Sequence, residues 1–205
     1  MGGNLFVVSA PSGAGKTSLV KRLLDDDERV RMSVSYTTRP RRDTEVEGRD
    51  YFFVSKPEFE RLRDAGEMLE HAEVFTNYYG TGQAQVRELR EAGNHVVLEI
   101  DWQGAQQVRA AAATCQSVFV LPPSQDELER RLRNRQTDSD DVIAHRLSES
   151  VADMSHWHEF DFVIINDNFN TAAAALGAVI DGRGDPFRTS RPEVQEAALK
   201  IVGVQ

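Results

Sequence analysis

Residues 5–18 read LFVVSAPSGAGKTS, and no other stretch limits the architecture of this chain as tightly. Leu5, Phe6, Val7 and Val8 form an apolar run of strand length. The glycine-bearing turn behind it leads into Leu19, Val20, Leu23 and Leu24, which are apolar at helical spacing. A buried strand that feeds a helix through a tight turn is the repeating unit of a parallel α/β sheet. Gly13, Gly15, Lys16 and Thr17 fill the last part of the pattern G-x-x-x-x-G-K-[ST], with Ala10 in place of the first glycine. Such a loop turns successive backbone N–H groups into one concavity at a helix N-terminus, where they hold phosphate. Ala10, Pro11, Ser12, Gly13, Ala14, Gly15, Lys16, Thr17 and Ser18 are therefore the expected phosphate cradle. Lys16 would neutralise β- and γ-phosphate oxygens, and the Thr17 hydroxyl would ligate a nucleotide-bound Mg²⁺ ion.

Further strands are expected at Leu5–Ser9, at residues 95–100 and 117–121, and at Phe162–Ile165, with amphipathic stretches between them. This alternation predicts a parallel sheet with helices on both faces. Ser55 with Glu58, and Ser124 with Glu127, have capping-box spacing and mark two helix starts; Gly66 marks the end of the first of these helices. Residues 33–94 break the pattern with a Pro/Arg-rich turn and aromatic strands, and read as an inserted subdomain. The core is then residues 1–32 and 95–185, followed by a tail at 186–205. That tail shows no clear place in the core and is expected to be a helix used in homo-oligomer formation.

A net charge of −9 opposes binding to polyanions, so neither nucleic acid nor an anionic membrane is an expected partner. Cys115 is the single cysteine, which excludes an internal disulfide, and no apolar run is long enough to span a bilayer. A soluble, cytoplasmic protein is expected. Five histidines at no metal-like spacing argue against a structural zinc site.

Against this acidic background the arginines are grouped. Arg39, Arg41, Arg42 and Arg49 precede Tyr51, and Arg130, Arg131, Arg133 and Arg135 are followed by Arg146. Planar guanidinium suits a terminal phosphate bidentately, and Arg131 and Arg135, four residues apart, would share one helix face. One phosphate loop with two arginine-bearing segments suits two phosphorylated substrates that meet head to head. A GTPase needs no second phosphate site.

Six blocks carry a family resemblance: SAPSGAGKTSL, SVSYTTRPRRDTEVEGRDYFFV, EMLEHAEVFTNYYGT, LEIDWQGAQQV, LPPSQDELERRLRNRQTDSDDVIAHRL and VIINDNFNTA. In order and spacing they resemble the guanylate kinases of bacteria over about residues 4–182. The resemblance implies a P-loop nucleoside monophosphate kinase fold with a GMP-binding subdomain at 33–94 and a mobile lid at about 132–150. The implied reaction converts ATP and GMP, or dGMP, into ADP and the diphosphate, with Mg²⁺. It implies GMP-phosphate contacts from Arg39, Arg42, Tyr51 and Tyr79, and guanine contacts from Ser35, Glu70, Thr81 and Asp101. Arg131, Arg135 and Arg146 would face the transferring phosphates with Lys16 and Arg42, and Asn166 and Asp167 would lie near the adenine. Guanine presents N–H donors at N1 and N2, which carboxylates at Glu70 and Asp101 can accept; hydroxyls at Ser35 and Thr81 can donate to O6 and N7. A scaffold domain of the same fold would be expected to have lost Lys16 and Thr17. A sugar-phosphate kinase, the alternative enzyme, would not need the two acids.

Overall fold

Side chains of the first strand alternate between two separate hydrophobic clusters: Leu5 and Val7 enter one, Phe6 and Val8 the other. A strand buried on both faces must be apolar throughout, which is why LFVV lacks the polar alternation of a surface strand. The computed structural model describes residues 2–74, 76–134 and 140–203, with backbone alone at 140 and 141. In chain order the strands are β1 (Leu5–Ser9), β2 (Val30–Met32), β3 (Tyr36–Thr37), β4 (Phe52–Phe53), β5 (Met68–Val74), β6 (Asn77–Gly82), β7 (His95–Glu99), β8 (Gln116–Leu121) and β9 (Phe162–Ile165). The helices are α1 (Lys16–Asp26), α2 (Lys56–Asp64), α3 (Gln83–Glu91), α4 (Trp102–Ala111), α5 (Gln125–Arg133), α6 (Asp140–Met154), α7 (Phe169–Ile180) and α8 (Pro192–Val202).

The main sheet is parallel throughout, in the order β2-β7-β1-β8-β9. Successive connections leave β1 on opposite sides, so a crevice opens at the carboxyl ends of the strands, where α/β sheets bind ligands. The edge strand β2 was not expected. Only Val30 of its three residues is buried, while Arg31 and Met32 are exposed, so one apolar side chain is all the pattern it leaves in the sequence.

The second sheet, β4-β3-β6-β5, spans Tyr36 to Gly82 and rests on its own small cluster of Phe59, Leu62 and Met68. The antiparallel pair β5–β6 places Glu70 opposite Thr81. Ser55 caps α2 as its spacing predicts, its hydroxyl accepting from Glu58 N, and Gly66 follows that helix with φ at +69°. Ser124 caps α5 in the same way. Helix α3 returns to the main sheet, with Val86 buried in the cluster that holds Leu5 and Leu98. Among the described residues, no helix is long and apolar enough to cross a membrane.

The tail requires a correction. Residues 192–202 do form a helix, but Ala198 and Ile201 are buried in the same cluster as Trp157 and Phe160, so the tail has a place in the core. Gln125 Nε2 donates to the carbonyls of Ile201 at 3.3 Å and Val202 at 3.0 Å, which ties the last turn of α8 to α5. Ala198 and Ile201 are its buried side chains, and Val194 and Val202 pack partly buried against the same cluster. Truncation of the buried Ile201 to Ala should therefore cost about 2–4 kcal/mol. The same change at Leu199, 40% exposed, should cost less than about 0.5 kcal/mol. Urea unfolding midpoints of the two variants check the orientation of α8.

Candidate active site

Two glycines shape the turn after β1. Gly13 and Gly15 have φ of +90° and +97°, and a Cβ at Gly15 would stand 2.4 Å from Asn166 Nδ2. Gly15 is also the N-cap of α1 and offers no side-chain cap, so the first N–H groups of that helix remain directed to the loop's concavity. A cavity of about 360 Å³ is lined by residues 10–13, 15–18 and Glu99. Ala14 behaves differently from its neighbours. Its side chain is buried, its N–H donates to the Pro11 carbonyl, and its own carbonyl accepts from Asn166 Nδ2 at 2.8 Å. Asn166 is thus a buried strut beneath the loop, while Asp167 beside it is exposed.

The loop is also tied sideways to the end of β7. Ser9 Oγ donates to the carbonyls of Ile100 and Asp101, and Lys16 Nζ donates to the Ile100 carbonyl at 3.0 Å. Burial pulls the Lys16 pKa below its ordinary value, and the carboxylates of Glu99, Asp101 and Asp153 oppose that shift. Thr17 Oγ1 donates to Glu99 Oε1 at 2.5 Å. A hydroxyl and a carboxylate oxygen brought together at the mouth of a phosphate loop are the hard donors that Mg²⁺ takes.

Glu99 also lines a second, smaller cavity of about 120 Å³, together with Ser35, Tyr51 and Thr81. Its neighbour Glu70 is 6% exposed, and burial raises its carboxyl pKa above the ordinary 4.5; nearby Asp101 adds to the rise, and the hydrogen bond from Thr81 opposes it. Thr81 Oγ1 donates to Glu70 Oε1 at 2.6 Å, so its proton goes to the carboxylate that it was expected to accompany in contacting a base. Asp101 caps α4 by accepting from Gly104 N at 2.7 Å. A Cβ at Gly104 would lie 3.1 Å from Glu70 Oε2 and 3.2 Å from Asp101 Oδ1, which brings the two expected base acceptors to one place. Tyr51 and Tyr79 meet edge to face at 6.1 Å, and the Arg39 guanidinium lies 5.4 Å from the Tyr51 ring centroid. The Arg42 side chain is exposed.

A third cleft, about 660 Å³, contains Arg146 and Asp153 of α6 and shares Ser12 with the phosphate loop. Ser150 Oγ donates to the Ser12 carbonyl at 3.2 Å, fastening α6 to the loop. Arg131 reaches the loop from α5: its Nη2 donates to the Asn166 carbonyl at 3.0 Å and its Nε to Glu127 at 2.8 Å. Arg135 lies outside the described residues. The sequence assigns no role to Ser150 or Asp153; it sets Glu99 in a segment that resembles a Walker B strand without assigning it to Mg²⁺. A serine on a helix carries no signal by itself, and Asp153 is defined by Trp102 Nε1 donating to it at 2.9 Å, a contact across 51 residues.

A parallel sheet in this order, with a phosphate loop at the end of its central strand, defines a P-loop kinase fold. A family model described as guanylate kinase matches residues 2–183. The guanylate kinase of Alkalilimnicola ehrlichii is 48% identical over 203 residues, covering 99% of this chain and 100% of that protein. That of Methylococcus capsulatus is 50% identical over 199 residues, covering 97% and 94%. The crystal structure of guanylate kinase from Anaplasma phagocytophilum matches with a TM-score of 0.70 at 31% identity, over 100% of this chain and 97% of that one. The chain belongs to the guanylate kinase family.

Replacing Gly15 with Ala places a side chain at positive φ and against the Asn166 amide. The backbone strain alone costs about 1–2 kcal/mol, and the loop must open to relieve the contact. Calorimetric titration with ATP should show binding lost or weakened by about tenfold or more. Unchanged affinity would mean that the loop conformation does not matter for the nucleotide.

Proposed function

We propose that this chain transfers the γ-phosphoryl group of ATP to GMP, releasing ADP and GDP, and accepts dGMP in the same way. The observation that carries the reading is Glu99, which lines both the phosphate-loop cavity and the smaller cavity beside Tyr51 and Thr81. Two clefts that meet at one carboxylate suit a donor and an acceptor held with their phosphates together.

In this reading a GMP phosphate oxygen attacks the γ-phosphorus while the bond to the β-phosphate oxygen breaks and ADP departs. The acceptor monophosphate has its second pKa near ~6 and is largely ionised at neutral pH, so no protein base has to create the nucleophile. The work left to the protein is orientation and charge neutralisation. Lys16 and the backbone of residues 10–18 hold the donor phosphates; Arg39, Arg42, Tyr51 and Tyr79 hold the acceptor phosphate. Arg131 and Arg146, with Arg135, are the cations proposed to gather around the transferring group as a lid at 132–150 closes and excludes water. Thr17 and Glu99 are the oxygen donors that would hold Mg²⁺, directly or through water. When bound, the ion would neutralise and orient the β- and γ-phosphate oxygens. Asn166 acts here as support for the loop, and Asp167 is the exposed residue on the adenine side.

Guanine is selected by the acids. Glu70 and Asp101 accept from N1–H and N2–H, Ser35 donates to the opposite edge, and Thr81 orients Glu70. Adenine would leave buried Glu70 with the Thr81 hydroxyl but without the two N–H donors of a guanine edge, which disfavours AMP by about 1–3 kcal/mol for one well-formed bidentate pair. The subdomain at 33–94 is the part proposed to move with GMP. A cytoplasmic setting belongs to the same reading, supported by the lone, partly buried Cys115, whose thiol is pushed up to about 12 by burial.

ADP production measured against a panel of monophosphates should show GMP and dGMP as the preferred acceptors. A sugar phosphate as the best acceptor would overturn the assignment. Lys16→Ala should lower turnover by about 10²-fold or more with the fold retained by circular dichroism.

Glu70 also makes the reading sensitive to pH. The guanine donors need its ionised form, and its pKa is raised, so acceptor affinity should begin to fall at a higher pH than an ordinary carboxylate would cause. KM for GMP measured from pH 8 to 5 should rise on acidification. Glu70→Gln should remove that inflection, leaving only the one that belongs to the substrate phosphate, and should narrow the preference for GMP over AMP by about tenfold or more. An identical KM profile in the variant would remove Glu70 from the base site.

A further inference from the structure

The loop between β3 and β4 carries Arg39, Arg41, Arg42 and Arg49 together with Asp43, Glu45, Glu47 and Asp50. One of these acids organises three of the cations. Glu45 Oε1 accepts from Arg39 Nη2 at 2.7 Å, and Oε2 accepts from Arg39 Nη1 at 3.1 Å. Oε2 also accepts from Arg42 N at 2.9 Å, while Glu45 N returns a hydrogen bond to the Arg42 carbonyl at 3.0 Å. The Glu45 carbonyl accepts from Arg41 Nη1 at 3.2 Å. The side chains of Arg39 and Glu45 are 16% and 14% exposed, whereas the other ion pair of the loop, Arg49–Asp50, is 65% and 35% exposed.

We infer that Glu45 is the positioning residue of the acceptor-phosphate site, setting the Arg39 guanidinium and the Arg42 turn before GMP arrives. The inference rests on the proposed role of Arg39 and Arg42 as phosphate contacts. A free arginine loses much rotamer entropy when it clamps an anion, and a side chain already fixed has less to lose. Here the fork is held at one end by a bidentate carboxylate and lies against the faces of Tyr51 and Phe53, at 5.4 and 5.8 Å from their centroids. The bonds to Glu45 and to the Pro40 carbonyl use three of its five N–H groups and Tyr79 is a further hydrogen-bond partner, which still leaves donor capacity for a phosphate oxygen. Nor does the Glu45 carboxylate pair with the Arg41 or Arg42 guanidinium. Glu45 meets Arg42 through the backbone and Arg41 through a neutral carbonyl, leaving both of those guanidinium groups outside its carboxylate pairing.

The Arg39 pair also holds the Glu45 carboxyl at about 2, with the Arg42 N–H assisting, so the carboxylate stays ionised wherever the enzyme is assayed. Acid titration is therefore no substitute for a variant.

The test is a double-mutant cycle of Glu45→Gln and Arg39→Gln, with GMP and guanosine affinities measured by calorimetry or by inhibition, alongside steady-state kinetics. Glu45→Gln should weaken GMP by about tenfold while leaving guanosine, which lacks the phosphate, within about twofold. KM for GMP should rise with it, and KM for ATP and kcat at saturating GMP should hold near the parent values. The double variant should bind GMP no more weakly than Arg39→Gln alone, because Glu45 acts through Arg39. GMP affinity unchanged or improved in Glu45→Gln overturns the inference, as does an equal loss of guanosine, which would mark a general collapse of the subdomain. Should Arg39→Gln itself leave GMP binding intact, the phosphate role of Arg39 fails and the inference falls with it. Should Arg39→Gln weaken GMP while Glu45→Gln does not, only the inference fails.

Discussion

The hydrogen bonds that lash the phosphate loop to the end of β7 are the constraint on which the site depends. Lys16 to the Ile100 carbonyl, Thr17 to the Glu99 carboxylate and Ser9 to the carbonyls of Ile100 and Asp101 join two strand ends that are neighbours in the sheet but about ninety residues apart in the chain. Because β1 and β7 pair in parallel from Leu5–Val96 to Val8–Glu99, register alone delivers Glu99 to the mouth of the loop. Asp101 follows two residues later as the cap of α4, and Glu70 comes across from the second sheet to meet it beside Gly104. In the proposed reading, one strand end thus serves both substrates. A slip of β7 by a single residue would turn Glu99 away from Thr17 and break the site without changing any motif.

Charge is handled by pairing rather than by excess. The molecule is acidic overall, yet its cations concentrate where anions are to be bound. Arg39 meets Glu45 and Arg131 meets Glu127, while Lys16 has three acids around it. These partners keep the site from carrying several uncompensated positive charges at close range, which would be costly where the dielectric is low. The polyphosphate that arrives adds to a field already partly balanced. In the proposed base site the arrangement is the opposite: Glu70 is buried near Asp101 and accepts from Thr81, and burial raises its carboxyl pKa above the ordinary value.

Most of this was legible in the chain because its signals are local. Strand, turn and helix from Leu5 to Leu24 announce the phosphate loop, and the parallel core follows from four apolar runs whose bounds the structure reproduces within a residue. The serine caps at Ser55 and Ser124 place two helices. What stayed hidden depends on contacts between distant segments. β2 leaves one buried valine as its trace, and α8 docks through buried Ala198 and Ile201 with Val194 and Val202 at the margin of the same cluster. The Asn166 amide bonded to the Ala14 carbonyl and the Thr81 hydroxyl bonded to Glu70 are contacts of this kind, joining segments distant in the sequence. Glu45 is one acid among four in an irregular loop, and no periodicity singles it out from Asp43, Glu47 or Asp50.

The central claim is that the two clefts bordering Glu99 hold donor and acceptor phosphates in line for direct transfer. A crystal structure with GMP and a non-hydrolysable ATP analogue bound together tests it most directly. A GMP phosphate oxygen should lie about 3–3.5 Å from the terminal phosphorus of the analogue, opposite its bridging atom, with Lys16 between the two nucleotides. Phosphates seated in separate clefts that do not meet beside Glu99 would contradict the account.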